Sequence, residues 1–123
     1  MKKLLIVAFI AHVLLEGLVG ALLIIAPYKI TPHADAASLT FVINYGFAAL
    51  AMASVVFWGW SGRDNYRIMG AVLGILATFH TGLTIASGMM LVEDGSPAVL
   101  VIHAVMAVLF WLLFARRRQW CVD

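Results

Sequence analysis

The chain has 123 residues, of which 64% are hydrophobic and only 11% charged, with a formal net charge of +2. A soluble domain carries about 25% charged residues, so this composition excludes an ordinary soluble fold, and the length allows one domain. The basic residues cluster at the ends of apolar runs, which fits a membrane surface and argues against nucleic acid.

The first apolar run spans about residues 4–26 and follows Met1-Lys2-Lys3. It imitates a signal peptide, but it is too long for that apolar core, Glu16 interrupts it, and no small-residue cleavage pattern follows. It reads as a transmembrane helix. Pro27 and Pro32 bracket the first loop, which also holds Lys29, His33 and Asp35. A second run covers about 39–60 and ends at Ser61-Gly62-Arg63-Asp64-Asn65. A third covers about 67–91 and ends at Glu93-Asp94-Gly95-Ser96-Pro97. The fourth covers about 98–115 and runs into Arg116-Arg117-Arg118. With so little chain outside the runs, the expected fold is all-α, an integral membrane bundle of four transmembrane helices. Cys121 is the single cysteine, so no intrachain disulfide and no cysteine metal cluster can form.

Lys2, Lys3, Arg63, Arg67 and Arg116 to Arg118 fall on one side of the four spans, and Lys29 alone on the other. The positive-inside rule then places both termini and the second loop in the cytoplasm. Trp58, Trp60, Tyr66 and Trp120 lie near the inner interface and Tyr28 near the outer. The chain is expected to cross its membrane four times.

Ionisable groups inside the runs carry the functional question. Glu16 sits near the middle of the first run, and such a group costs roughly 2.5 kcal/mol or more in hydrocarbon. His12 lies four residues before it on the same helix face. His80 and Thr84 share a face of the third helix, and His103 lies on the fourth. Counting from the span ends puts Glu16 and His80 near the midplane, His12 somewhat inward, His103 somewhat outward and Asn44 further outward.

Three imidazoles and one carboxylate are ligand types for zinc, copper or iron. Two histidines from different helices also suit the axial positions of a haem in a four-helix bundle. A quinone headgroup or a proton relay is a third option. The expected site is therefore His12, Glu16, His80 and His103, supported by Asn44 and Thr84. The opposing reading is that these groups are interhelical glue, with bonds worth only about 0.6–2 kcal/mol. In that case the chain is a structural or assembly subunit without a cofactor. A small transporter is a further option, and so short a chain would need to oligomerise to form a pathway. His-x-x-x-Glu lacks the second histidine of a zinc-protease motif, so no hydrolase is read here. Gly70-x-x-x-Gly74 matches a small-residue packing motif, read here as bundle packing with a dimer interface as the alternative.

The two halves admit an alignment. His12 with His80 also pairs Leu15 with Leu83, Gly20 with Gly88 and Glu16 with Thr84, and, after allowance for a longer first loop, Asn44 pairs with His103. This would be a parallel repeat, with chance likeness of apolar helices as the alternative.

The phrases Ala11-His12-Val13-Leu14-Leu15-Glu16-Gly17, Tyr45-Gly46-Phe47-Ala48-Ala49-Leu50 and Phe79-His80-Thr81-Gly82, set on four short-looped helices, resemble the small DoxX-like family of bacterial membrane proteins. The resemblance covers the whole chain at the level of architecture. It implies a four-helix fold of the bacterial inner membrane with cytoplasmic termini and a role beside respiratory or sulfur-oxidising membrane complexes. It transfers no functional residue.

Overall fold

The helices in this computed structural model begin and end where loop chemistry interrupts the apolar runs. The structure describes residues 1–91 and 95–122. Four long helices carry the fold: α1 (Lys2–Ile25), α3 (Ala36–Trp60), α4 (Tyr66–Met90) and α5 (Pro97–Arg116). The sequence placed each within a few residues. All four are long and apolar enough to cross a membrane. They are the elements of a multi-pass membrane protein. The acidic pair Glu93-Asp94 lies outside the described residues.

Two short elements escaped the sequence reading, the 3-10 turn Arg117–Gln119 that follows α5 and a turn in the first loop. The first loop contains a single helical turn, α2 (Pro27–Ile30). Pro27 starts it because a proline at the first helical position gives up an N–H that would be unbonded anyway. Asp35 then opens α3 by accepting the Ser38 backbone N–H at 2.7 Å. That bond holds the Asp35 carboxyl below its usual range. The cap is therefore complete at neutral pH and is lost only as the pH falls through the lowered folded value.

Asn65 caps α4, its side chain accepting from the N–H groups of Arg67 and Ile68, both at 3.0 Å. These are two of the donors that a helix start leaves without intrahelical partners. Asn65→Ala is expected to cost about 1 kcal/mol. Thermal unfolding in detergent checks this, and an unchanged midpoint would contradict it.

The described chain divides into two compact units, Met1–Ala8 with Gly59–Asp123, and Phe9–Trp58. In the first, α4 and α5 pair as a hairpin. Gly70 and Gly74 serve this pairing. Side chains of α5 and its following 3-10 turn (Arg117–Gln119) lie over them, Arg117 at 3.2 Å and Phe114 at 3.6 Å from where a Cβ would stand. The Arg117 guanidinium lies 4.2 Å from the Tyr66 ring centre and 4.0 Å from that of Phe114. Its Nη1 donates to the Phe114 carbonyl at 2.6 Å. Each such cation–ring contact is worth about 0.5–2 kcal/mol. Arg117→Gln should therefore free the last residues of the chain, read as faster proteolysis there, whereas an unaltered cleavage rate would refute the clamp. In the second unit, α1 and α3 meet backbone to backbone at Gly20 and Gly46.

The burial pattern is that of a bilayer protein. His12, Glu16, His80 and His103 are buried. Val7, Leu18, Ile25, Phe41 and Trp58 are exposed, Ile25 at 82% and Trp58 at 83%. Water would penalise that arrangement, and lipid accepts it because hydrocarbon solvates apolar side chains and not polar ones.

Candidate functional site

Within the first unit the structure brings two of the expected residues into direct contact. The Nδ1 atoms of His80 on α4 and His103 on α5 are 3.0 Å apart. His80 is fully buried and His103 is 8% exposed. The rings are tilted by 30°, with centres 5.2 Å apart. Phe110, one heptad beyond His103 on α5, stacks on the His80 ring at 5.5 Å and 16°. Phe79 meets the same imidazole edge-on at 5.2 Å. Aromatic walls therefore fix the His80 ring in one orientation.

Two lone pairs cannot face each other at 3.0 Å. An ion or a proton must lie between the two Nδ1 atoms. With a proton, one Nδ1 donates and the other accepts, so one neutral ring shows an Nε2 lone pair and the other an Nε2–H. With a metal ion, both Nδ1 atoms are ligands and both Nε2 atoms carry hydrogen. Metal–nitrogen bonds of about 2.0–2.1 Å at angles of about 90–109° place two ligand nitrogens roughly 2.8–3.4 Å apart. The observed spacing falls in that range. Axial ligands of one haem iron stand on opposite sides of the ring, about 4 Å apart at similar bond lengths. The pair is too close for that.

Thr84 lies one turn beyond His80 and its hydroxyl donates to the His80 carbonyl at 2.7 Å. It is thus engaged with its own helix backbone. Thr81 bonds the Ala77 carbonyl at 2.7 Å and accepts from the Trp111 indole at 3.1 Å, which adds a second polar tie between α4 and α5.

In the second unit, His12 and Glu16 stand one turn apart on α1, both buried. His12 Nε2 lies 3.1 Å from the Met52 carbonyl of α3. A carbonyl only accepts, so Nε2 carries the hydrogen and Nδ1 of the neutral ring holds the lone pair. That bond is the kind that orients a metal-ligating histidine through its other nitrogen.

Asn44 does not belong to a buried site. It is exposed, whereas α3 buries Gly46, Ala49, Ala53 and Val56. Two residues of helix separate Asn44 from Gly46, a rotation of about 200°, so the two point to opposite faces. Its alignment partner His103 is buried, so the two aligned positions occupy different surroundings. His33 is exposed in the first loop.

Two contributors lay beyond the sequence reading. The Met52 carbonyl leaves no trace in a sequence, because every residue has one. Phe110 was in principle visible, since seven residues from His103 returns to the same helix face.

No protein-family model, no curated protein and no solved structure matches this chain.

Proposed function

We propose that this chain is a small membrane protein that binds a ligand at buried imidazole and carboxylate groups and handles electrons or protons there. The observation that carries the reading is the 3.0 Å contact between His80 Nδ1 and His103 Nδ1. Its spacing supports a single transition-metal ion, or a proton in the same place, over a haem. In the second unit, His12 and Glu16 offer an imidazole and a carboxylate of their own, and the Met52 carbonyl holds His12 in the tautomer that a ligand through Nδ1 needs. A redox-active ion would supply electron transfer, and a shared proton would supply a relay. A quinone-like molecule remains compatible with an Nε2–H donor.

The wider setting is part of the same proposal. The positive-inside pattern supports cytoplasmic termini in a bacterial inner membrane. The resemblance to DoxX-like proteins supports a place in a larger redox complex, and a homo-oligomer belongs to the transporter reading.

A purely structural role has its own support. The His12–Met52 bond ties α1 to α3, and the His80–His103 contact ties α4 to α5, whether or not anything binds. Metal analysis and a visible spectrum of the detergent-purified protein separate the readings. Stoichiometric metal without a Soret band, lost in both His80→Ala and His103→Ala, supports the metal site. A Soret band would move the proposal to haem. Colourless, metal-free protein whose fold survives Glu16→Gln supports the structural role.

A further inference from the structure

A groove of about 210 Å³ opens where the chain's first residues meet the α3–α4 loop, lined by Lys2, Leu5, Ile6, Trp60, Arg63 and Asp64. Two cations, one carboxylate and an indole share a wall with two aliphatic side chains. The groove is independent of the histidine pair.

The cations are held loosely enough to exchange partners. Lys2 Nζ lies 2.8 Å from Asp64 Oδ1, and both side chains are at least half exposed. Exposed ion pairs of this kind are weakly held. The Arg63 guanidinium lies 5.0 Å from the Trp60 ring centre and donates Nη1 to the Trp60 carbonyl at 3.3 Å. That contact uses one of the five N–H donors of a guanidinium, and it fixes the group at the groove wall. Lys2 also begins α1, where the helix dipole favours an anion and opposes a cation. An anion beside Lys2 satisfies the ammonium and the helix start together.

The apolar side of the groove indicates the kind of anion. Ile6 is 42% exposed and its neighbour Val7 61%, so the lining continues onto the lipid-facing surface of α1. A free phosphate has no use for that surface, and an acyl chain does. Tryptophan is enriched at the headgroup level of membranes, which is where such a ligand would place Trp60.

We propose that this groove binds the phosphate of an anionic lipid headgroup, held by Lys2 and Arg63, with its chains running along Ile6. Asp64 is the internal competitor that the phosphate displaces from Lys2. Its carboxyl is held below its usual range chiefly by the Lys2 hydrogen bond, so it stays ionised and the competition is present at neutral pH.

The test uses the full chain in phosphatidylcholine nanodiscs, titrated with phosphatidylglycerol and followed by thermal unfolding and by native mass spectrometry of retained lipid. Wild type should retain phosphatidylglycerol and gain stability from it. Lys2→Gln with Arg63→Gln should weaken retention about thirty-fold, from two phosphate contacts of about 1 kcal/mol each. Asp64→Asn should tighten it. That opposite sign separates a lipid site from a structural ion pair, which either change would damage alike. It also keeps the proposal testable if the double variant fails to fold. Weaker retention in Asp64→Asn, or unchanged retention in the double variant, would overturn the proposal. So would equal stabilisation by inorganic phosphate, which would mark a soluble-anion site, or an equal loss in Arg116→Gln with Arg118→Gln, which would mark general surface charge.

Discussion

On the metal reading, replacing His103 with leucine is expected to abolish metal binding, and on either reading to destabilise the α4–α5 hairpin by about 1–3 kcal/mol. The metal effect follows from geometry. His80 Nδ1 and His103 Nδ1 stand 3.0 Å apart, and removing either leaves one nitrogen where two are needed to hold an ion at that point. The stability effect follows from burial. His80 is fully buried, and a leucine offers its Nδ1 no partner in place of the imidazole, so the desolvation cost of that nitrogen is no longer offset there. Trp111→Phe is the control on the same hairpin. It removes the indole bond to Thr81 without touching either imidazole, so it should leave metal content unchanged. Elemental analysis and thermal unfolding of the three proteins decide the matter. A His103→Leu variant that retains wild-type metal would sink the assignment.

The second large effect belongs to the α1–α3 contact. A Cβ on Gly20 would stand 2.8 Å from the Gly46 carbonyl oxygen and 3.1 Å from Leu50 N, both backbone atoms. A Cβ on Gly46 would meet the Gly20 carbonyl oxygen at 2.9 Å. Backbone cannot rotate away as a side chain can, so the two helices must separate. Gly20→Val is expected to cost about 1–3 kcal/mol, the range for overpacking a close contact. Separation should also stretch the His12–Met52 bond, which joins the same two helices two turns away. Gly17 makes the contrast, because a Cβ there meets nothing within 4 Å. Gly17→Ala should be neutral or stabilising by up to about 1 kcal/mol through helix propensity. Unfolding titrations in mixed micelles read both, and equal behaviour of the two variants would contradict the close approach.

The four spans were legible because hydrocarbon thickness sets a minimum length for an apolar run, and charged or proline-bearing loops mark the breaks. The shared face of His12 and Glu16 was legible from their spacing of four. The four-residue α2 was not, since one turn leaves no periodic pattern. Asn44 shows the deeper limit. In a soluble helix the polar face points outward and reveals the buried one. Here every face of α3 is apolar, so a lone asparagine could be assigned to either side. Size does not decide it either, because α3 buries Ala49 and Ala53 but exposes Ala48 and Ala51. The His80–His103 contact depends on how α4 and α5 dock, which spacing along one helix does not encode. Its ingredients were visible in the sequence and its 3.0 Å separation was not.

On the metal reading, His80 Nδ1 and His103 Nδ1 together hold one ion. Cobalt(II) titration of the metal-depleted protein in detergent, followed by visible absorption, tests this most directly. The predicted result is a saturable ligand-field band at one ion per chain, absent from both His80→Ala and His103→Ala while each remains folded. No saturable band, or a band that persists unchanged in both variants, would contradict it.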